Sequence, residues 1–133
     1  DDYAHHPTEI KASLRALRNS TNNRIWCIFQ PHTYTRTKIL LDSFAESFSE
    51  ADKVIISDIY AAREKDNGSI HSTHLVEGLL KNGIDAKYMS SFEKIENYII
   101  KHARKGDIVV TMGAGNVYTI GESMLKANKK EAI

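Results

Sequence analysis

Two short, unbroken β-branched runs, Val54-Ile55-Ile56 and Ile108-Val109-Val110, constrain this chain more than any other feature. A strand with one wet face alternates apolar and polar residues, whereas a continuous run belongs to a strand covered on both faces. Such cover requires helices above and below a sheet, and the intervening sequence supplies them. Leu40, Leu41, Phe44 and Phe48 recur at helical spacing, as do Leu75, Val76, Leu79 and Leu80, and then Ile95, Tyr98, Ile99 and Ile100. Further apolar runs at residues 24–30 and 86–89 bring the expected strands to four. Asn82-Gly83 predicts a C-cap, and Ser90-x-x-Glu93 has the spacing of a capping box. A first helix is predicted over 7–19, with Pro7 at its first position and Ile10, Leu14 and Leu17 on one face. A last helix is predicted from about 117 to 128, with a fraying tail at 129–131. Strand alternating with helix predicts one α/β domain: a doubly wound, mostly parallel sheet with helices on both faces, Rossmann-like.

Composition narrows the partners. Eighteen Lys and Arg against seventeen Asp and Glu leave a formal charge of +1, which offers no general electrostatic case for nucleic acid or an anionic membrane. A single cysteine, Cys27, excludes an internal disulfide and a multi-cysteine zinc site, and its place between Trp26 and Ile28 reads as a buried, inert thiol. No apolar run reaches the ~20 residues of a membrane span, and no signal-peptide pattern opens the chain. The expectation is a compact cytoplasmic domain.

In doubly wound sheets ligands collect at the carboxyl ends of the strands, where strand order reverses. The segments that follow the strands are Pro31-His-Thr-Tyr-Thr-Arg36, a polar stretch over 58–68, and Gly113-Ala-Gly-Asn116. For the first and last of these to share one crevice, the first and last strands must be neighbours. Arg36, at a helix start whose backbone N–H groups are expected to join it on an anion, suits a carboxylate or phosphate clamp; the competing reading is a surface arginine. The glycines near Asn116 allow either a tight structural turn or a backbone approach to a ligand. They lack the full dinucleotide fingerprint and a phosphate-loop lysine. Asp1-Asp-Tyr-Ala-His-His-Pro7 groups two carboxylates, a phenol and two imidazoles, or is a solvated linker with His6 starting a helix. His71 and His74 have metal-pair spacing but no evident third ligand, which favours a half-exposed helix face.

Four segments in order carry a resemblance: residues 1–9 (Asp-Asp-Tyr-Ala-His-His-Pro-Thr-Glu), 29–37 (Phe-Gln-Pro-His-Thr-Tyr-Thr-Arg-Thr), 58–64 (Asp-Ile-Tyr-Ala-Ala-Arg-Glu) and 111–116 (Thr-Met-Gly-Ala-Gly-Asn). Together they resemble the C-terminal domain of the Mur ligases of bacterial peptidoglycan synthesis, over the whole of residues 1–133. Within the family, the branch joining L-alanine to UDP-N-acetylmuramate fits best. The branch that adds the third peptide residue typically has Thr where His6 stands. The tripeptide-recycling branch shares the first segment but lacks one like residues 30–36. Many family members carry Arg where this chain has Thr33, which leaves Arg36 the only arginine of its segment.

The resemblance implies an ATP-dependent amide-forming ligase of three domains, of which the UDP-sugar domain and the central ATPase domain are absent here. It implies ATP and Mg2+ as cofactors, with the metal ligands mainly on the central domain. L-alanine, ATP and UDP-N-acetylmuramate would be the ligands, and the domain alone would catalyse nothing. It implies an additional antiparallel strand that the sequence does not locate. By the same resemblance Asp2 approaches the nucleotide ribose, while Tyr3 and His5 face ATP and the reacting centre. Arg36 and His32 would meet the amino-acid carboxylate, with Tyr60, Arg63, Gly113, Gly115 and Asn116 lining the same cleft. The alternatives are the tripeptide-recycling ligase domain and a non-catalytic nucleotide- or protein-binding α/β module.

Overall fold

The computed structural model describes residues 1–131, with side chains in the last helix through Ala127. Four strands form one sheet in the order β3-β2-β1-β4: β1 Ile25–Phe29, β2 Lys53–Ile56, β3 Ala86–Tyr88 and β4 Ile108–Met112. Every strand pair is parallel. β1 therefore lies between β2 and β4, and strand order reverses at the β1/β4 boundary, as the shared-crevice argument required. The family's antiparallel strand is not found among the described residues. Instead the N-terminal segment runs parallel beside β4, through an isolated bridge between Asp2 and Met112.

Side-chain alternation along β1 splits the core in two. Ile25, Cys27 and Phe29 face one side with Val54 and Ile56, against α1 (Pro7–Ser20), α3 (Leu41–Ala45) and α4 (Ser72–Lys81). Trp26, Ile28 and Ile55 face the other, against α5 (Phe92–His102) and α6 (Tyr118–Glu131). Cys27 is fully buried, and burial pushes its thiol pKa far above the ordinary range, so it is an inert core residue.

Several local expectations shift. The helix expected through Leu40 is two, α2 (Tyr34–Ile39) and α3, broken at Leu40, where φ is −101° and ψ is 16°. The break turns Phe44 and Phe48 onto Phe29, with ring centroids 5.4 and 5.3 Å away. Leu80 and Ile100 lie on outward faces of their helices and are exposed. Ser91, not Ser90, caps α5, accepting from Lys94 N–H; this phase sends Ile95 and Ile99 into the core. Ile108, Val109 and Val110 are only half-buried, because β4 is an edge strand. Asn82-Gly83 does close α4: Gly83 has φ +79° and Ile84 N–H returns to Leu79 O. α6 extends to Glu131, so the tail expected to fray at 129–131 is helical backbone, and its side chains lie outside the described residues.

Candidate functional site at the carboxyl edge of the sheet

Beyond the carboxyl end of β1, Pro31 is buried and His32 bridges to Tyr60 in the segment after β2. Thr33 N–H donates to Tyr60 O and Tyr60 N–H donates to Pro31 O, both at 2.8 Å, so the two loops are paired like short strands. The pairing stacks the His32 and Tyr60 rings, 5.6 Å between centroids and 17° from parallel. His5 approaches His32 from the N-terminal segment at 5.9 Å, and Tyr3 meets His5 edge-on at 5.5 Å. Tyr3, His5, His32 and Tyr60, separated by up to 57 positions in sequence, thus form one ladder of rings along the edge.

The N-terminal segment is held by its own chemistry. Asp2 N–H donates to Thr111 O, and Gly113 N–H donates to Asp2 O. Asp2 Oδ1 accepts from Ala4 N–H at 2.8 Å, while Asp1 accepts from the Thr111 hydroxyl. His6 caps α1 reciprocally with Glu9, so of the two adjacent imidazoles only His5 faces the edge. Tyr3 is 70% exposed.

The Gly113–Asn116 turn packs tightly. A Cβ at Gly115 would lie 2.6 Å from Gln30 Oε1 and 2.8 Å from the Tyr60 ring, and one at Gly113 would lie 3.0 Å from Gln30 O. Gln30 explains both: its carboxamide donates to Asn116 Oδ1 at 2.9 Å and accepts from Val117 N–H at 3.2 Å. The structural-turn reading accounts for these glycines without a ligand. Beside them Asp1, Asp2, Tyr3, Gly113, Gly115 and Tyr118 line a cleft of about 260 Å³.

Arg36 is half-buried in the first turn of α2, and its guanidinium has no hydrogen-bond or ion-pair partner among the described residues. With Thr33, Thr35, Ile39, Leu40 and Glu64 it lines an open cleft of about 410 Å³; Gly113 and Gly115 line the other cleft and Tyr60, Arg63 and Asn116 line neither, so the structure does not gather these residues into one cleft with Arg36. The expectation that backbone N–H groups of this helix start would join Arg36 on an anion is overturned. Tyr34 and Thr35 N–H donate to Glu64 Oε1 at 2.6 and 3.0 Å, and Arg36 N–H donates to the Thr33 hydroxyl at 3.3 Å. These donors are already satisfied, and the carboxylate that satisfies them escaped the sequence reading because it lies 30 positions away. Gln30 and Tyr118 escaped it for the same reason: nothing local in sequence signals their contacts. Arg63 is exposed beside Ala62, whose φ is +54°.

Burial lowers the His32 pKa, with Arg36 and His5 adding to the effect and Glu64 opposing it. The shift favours the neutral imidazole, and its buried Nδ1 has no hydrogen-bond partner among the described residues. Hydrogen bonds from the Thr35 hydroxyl and N–H, then from Tyr34 N–H, hold Glu64 below the ordinary glutamate range. His71 and His74 form the reciprocal cap of α4, His71 accepting from Thr73 N–H and His74 from His71 N–H. Among the described residues no group of three His, Cys, Asp or Glu side chains is placed to hold a metal, and no helix is long and apolar enough to cross a membrane.

Comparison with known proteins locates this arrangement. The chain is 57% identical over 133 residues to a UDP-N-acetylmuramate–L-alanine ligase of Acetivibrio thermocellus, covering all of this chain and 28% of that protein. The chain thus spans little more than a quarter of the curated relatives it matches. A solved UDP-N-acetylmuramate–alanine ligase of Thermotoga maritima superposes with a TM-score of 0.77 at 22% identity, over 98% of this chain and 26% of that one. A murein peptide ligase of Psychrobacter arcticus gives the same TM-score of 0.77 at 28% identity, over 96% of this chain and 26% of that one. Equal scores for two ligases of different name mean that the backbone alone does not separate them. The family model for the Mur ligase, glutamate ligase domain, matches residues 1–115, and the chain belongs to that family.

Proposed function

We propose that this chain is the amino-acid-accepting domain of an ATP-dependent, three-domain ligase that joins L-alanine to UDP-N-acetylmuramate in peptidoglycan synthesis. The observation that carries the reading is Arg36: a half-buried guanidinium without a partner among the described residues, in the segment that follows the carboxyl end of β1 and also carries His32. A zwitterionic amino acid offers one strong handle, its carboxylate, because its amine must stay free to attack. A planar guanidinium grips a carboxylate through two parallel hydrogen bonds and so fixes direction as well as charge. Neutral His32 adds hydrogen-bonding capacity without a second cation that would draw the carboxylate off the fork.

In the proposed reaction, ATP phosphorylates the muramate carboxylate on the central domain, where magnesium supplies charge stabilisation. The L-alanine amine then attacks the acyl phosphate, and the tetrahedral intermediate collapses to amide and phosphate, leaving ADP. This domain contributes position and shielding: closing over the central domain excludes water from an acyl phosphate that water would hydrolyse. Asp2 is assigned to the ribose hydroxyls; one of its oxygens is engaged with Ala4 N–H and the other has no partner among the described residues. Tyr3 and His5 face the nucleotide and the reacting centre; Gly113 and Gly115 line a cleft with Asp2 and Tyr3, while Tyr60, Arg63 and Asn116 stand on the loops of the same edge. The isolated chain holds no phosphate-loop lysine motif and should hydrolyse no ATP above a protein-free blank. The deciding experiment is Arg36→Lys in the full-length ligase. It keeps the charge and loses the fork, so the apparent KM for L-alanine should rise about ten-fold or more while that for ATP stays constant. A rise confined to ATP would make Arg36 a phosphate ligand and overturn the assignment.

A further inference from the structure

We propose that Glu64 is a positioning residue: from the loop after β2, its carboxylate fixes the first turn of α2 and thereby sets where Arg36 presents its guanidinium. The inference rests on the reading of Arg36 as the amino-acid carboxylate clamp.

The geometry is specific. α2 has six residues, Tyr34 to Ile39, and Arg36 is the third. A helix this short has little stability of its own, so whatever satisfies its leading N–H groups decides its orientation. Glu64 Oε1 accepts from the first two, Tyr34 at 2.6 Å and Thr35 at 3.0 Å. Thr33, the residue before the helix, has φ +64°, an uncommon conformation for a β-branched side chain, and Ala62, two residues before Glu64, has φ +54°. The backbone bonds joining Thr33, Tyr60 and Pro31 hold the two loops together, and Glu64 adds a side-chain tie from one loop to the helix that carries Arg36. Two strained residues flanking one tie indicate that the surroundings determine this conformation and that local preference does not.

Charge gives the arrangement a second consequence. Glu64 and Arg36 line the same cleft, yet they form no ion pair among the described residues. An unrestrained carboxylate there would be drawn to the guanidinium and would compete with a bound amino acid. Donation from two backbone N–H groups retains Glu64 at the helix start. The internal carboxylate therefore organises the clamp without filling it.

The test uses steady-state kinetics of the full-length ligase with Glu64→Ala, Glu64→Gln and Arg36→Lys, varying L-alanine and ATP separately. Glu64→Ala should raise the apparent KM for L-alanine roughly ten-fold and leave that for ATP within about two-fold, because a mispositioned fork loses directed hydrogen bonds. Glu64→Gln retains an acceptor oxygen at the same reach and should recover to within about three-fold of the parent. In the 133-residue chain, the Tyr34 and Thr35 amide NMR shifts should titrate together with Glu64, at a midpoint below that of an ordinary glutamate. If Glu64→Ala leaves the L-alanine constant unchanged while Arg36→Lys raises it, the positioning role falls and the clamp stands. If Arg36→Lys is silent while both amides still titrate, the clamp reading falls although the helix cap is real. Equal losses in Glu64→Ala and Glu64→Gln would mean that charge, and not the acceptor geometry, matters, which overturns the proposal. Amide shifts that ignore Glu64 overturn it directly, even if Glu64→Ala fails to fold.

Discussion

At the amino end of the sheet Arg18, Arg24 and Lys53 each meet a carboxylate, whereas at the carboxyl end the Arg36 guanidinium and the buried His32 Nδ1 meet no partner among the described residues. Asp107 shows how complete the pairing is at the amino end. One of its oxygens accepts from Arg24 Nε at 3.0 Å, Arg24 Nη2 at 2.7 Å, Trp26 Nε1 at 2.9 Å and Arg104 N–H at 2.9 Å. Arg18 and Ile25 N–H converge in the same way on Asp52. The carboxyl end instead carries Thr33 and Ala62, the two non-glycine residues of positive φ among the described residues. Polar groups satisfied by neighbours hold a fold together, while half-buried groups left unsatisfied, on strained backbone, mark where an outside molecule completes the set. The contrast assigns stability to one end and recognition to the other.

The strongest challenge to that division is Arg36→Lys. It should change the apparent L-alanine constant of the full-length ligase about ten-fold or more and leave thermal unfolding of this domain nearly untouched. A large loss of stability there would mean that the carboxyl end also holds the fold. The mirror experiment is Asp107→Ala, which strips the acceptor from the buried Trp26 indole and from Arg24. Tm should fall by on the order of 5 °C or more, read by circular dichroism, with the amino-acid constant unchanged. Gly115→Ala sharpens the boundary between the two ends. Its Cβ would press Gln30 and Tyr60 apart, so it should lower Tm by a few degrees and also weaken L-alanine, through the His32–Tyr60 stack.

The smallest effect is an acid limb. Hydrogen bonds from Arg24, then Arg104 N–H, lower the Asp107 pKa to about 2. A carboxyl depressed in the folded state contributes stability above its unfolded pKa near 3.9 and loses it as pH falls through its folded pKa. Melts between pH 6 and pH 2 should therefore show a decline from about pH 4 to pH 2 that is missing in Asp107→Asn. An identical decline in the variant would place the acid sensitivity elsewhere.

Sequence carried the architecture because buried strands leave a periodic mark. Val54 to Ile56 are each at most 2% exposed, as an unbroken β-branched run requires. The neighbouring of β1 and β4 was legible too, since polar loops after both had to share an edge. What the sequence did not carry was long-range satisfaction of donors. The capping role of Glu64 depends on a loop folding back across 30 positions, and no period or motif encodes that contact. Gln30 gives a similar lesson, its backbone carbonyl and its carboxamide explaining glycines 83 and 85 residues away that resembled a ligand loop. The break at Leu40 was hidden because Leu40, Leu41 and Phe44 keep helical spacing from the break itself into α3, so the period gives no sign that α2 has ended.

The bridge between Asp2 and Met112 has a mechanical consequence. It clamps the start of the chain to the sheet next to the ring ladder, so any polypeptide joined ahead of Asp1 departs from the candidate site itself. A pivot there lies close to Tyr3 and His5, at the near end of the ring ladder. Swinging the domain about that point would sweep its far helices through a wide arc while the near end of the ladder turned through a small one. Reorientation at the edge would then come with little travel, and the side chains that must be aimed would stay close to the axis about which they are aimed.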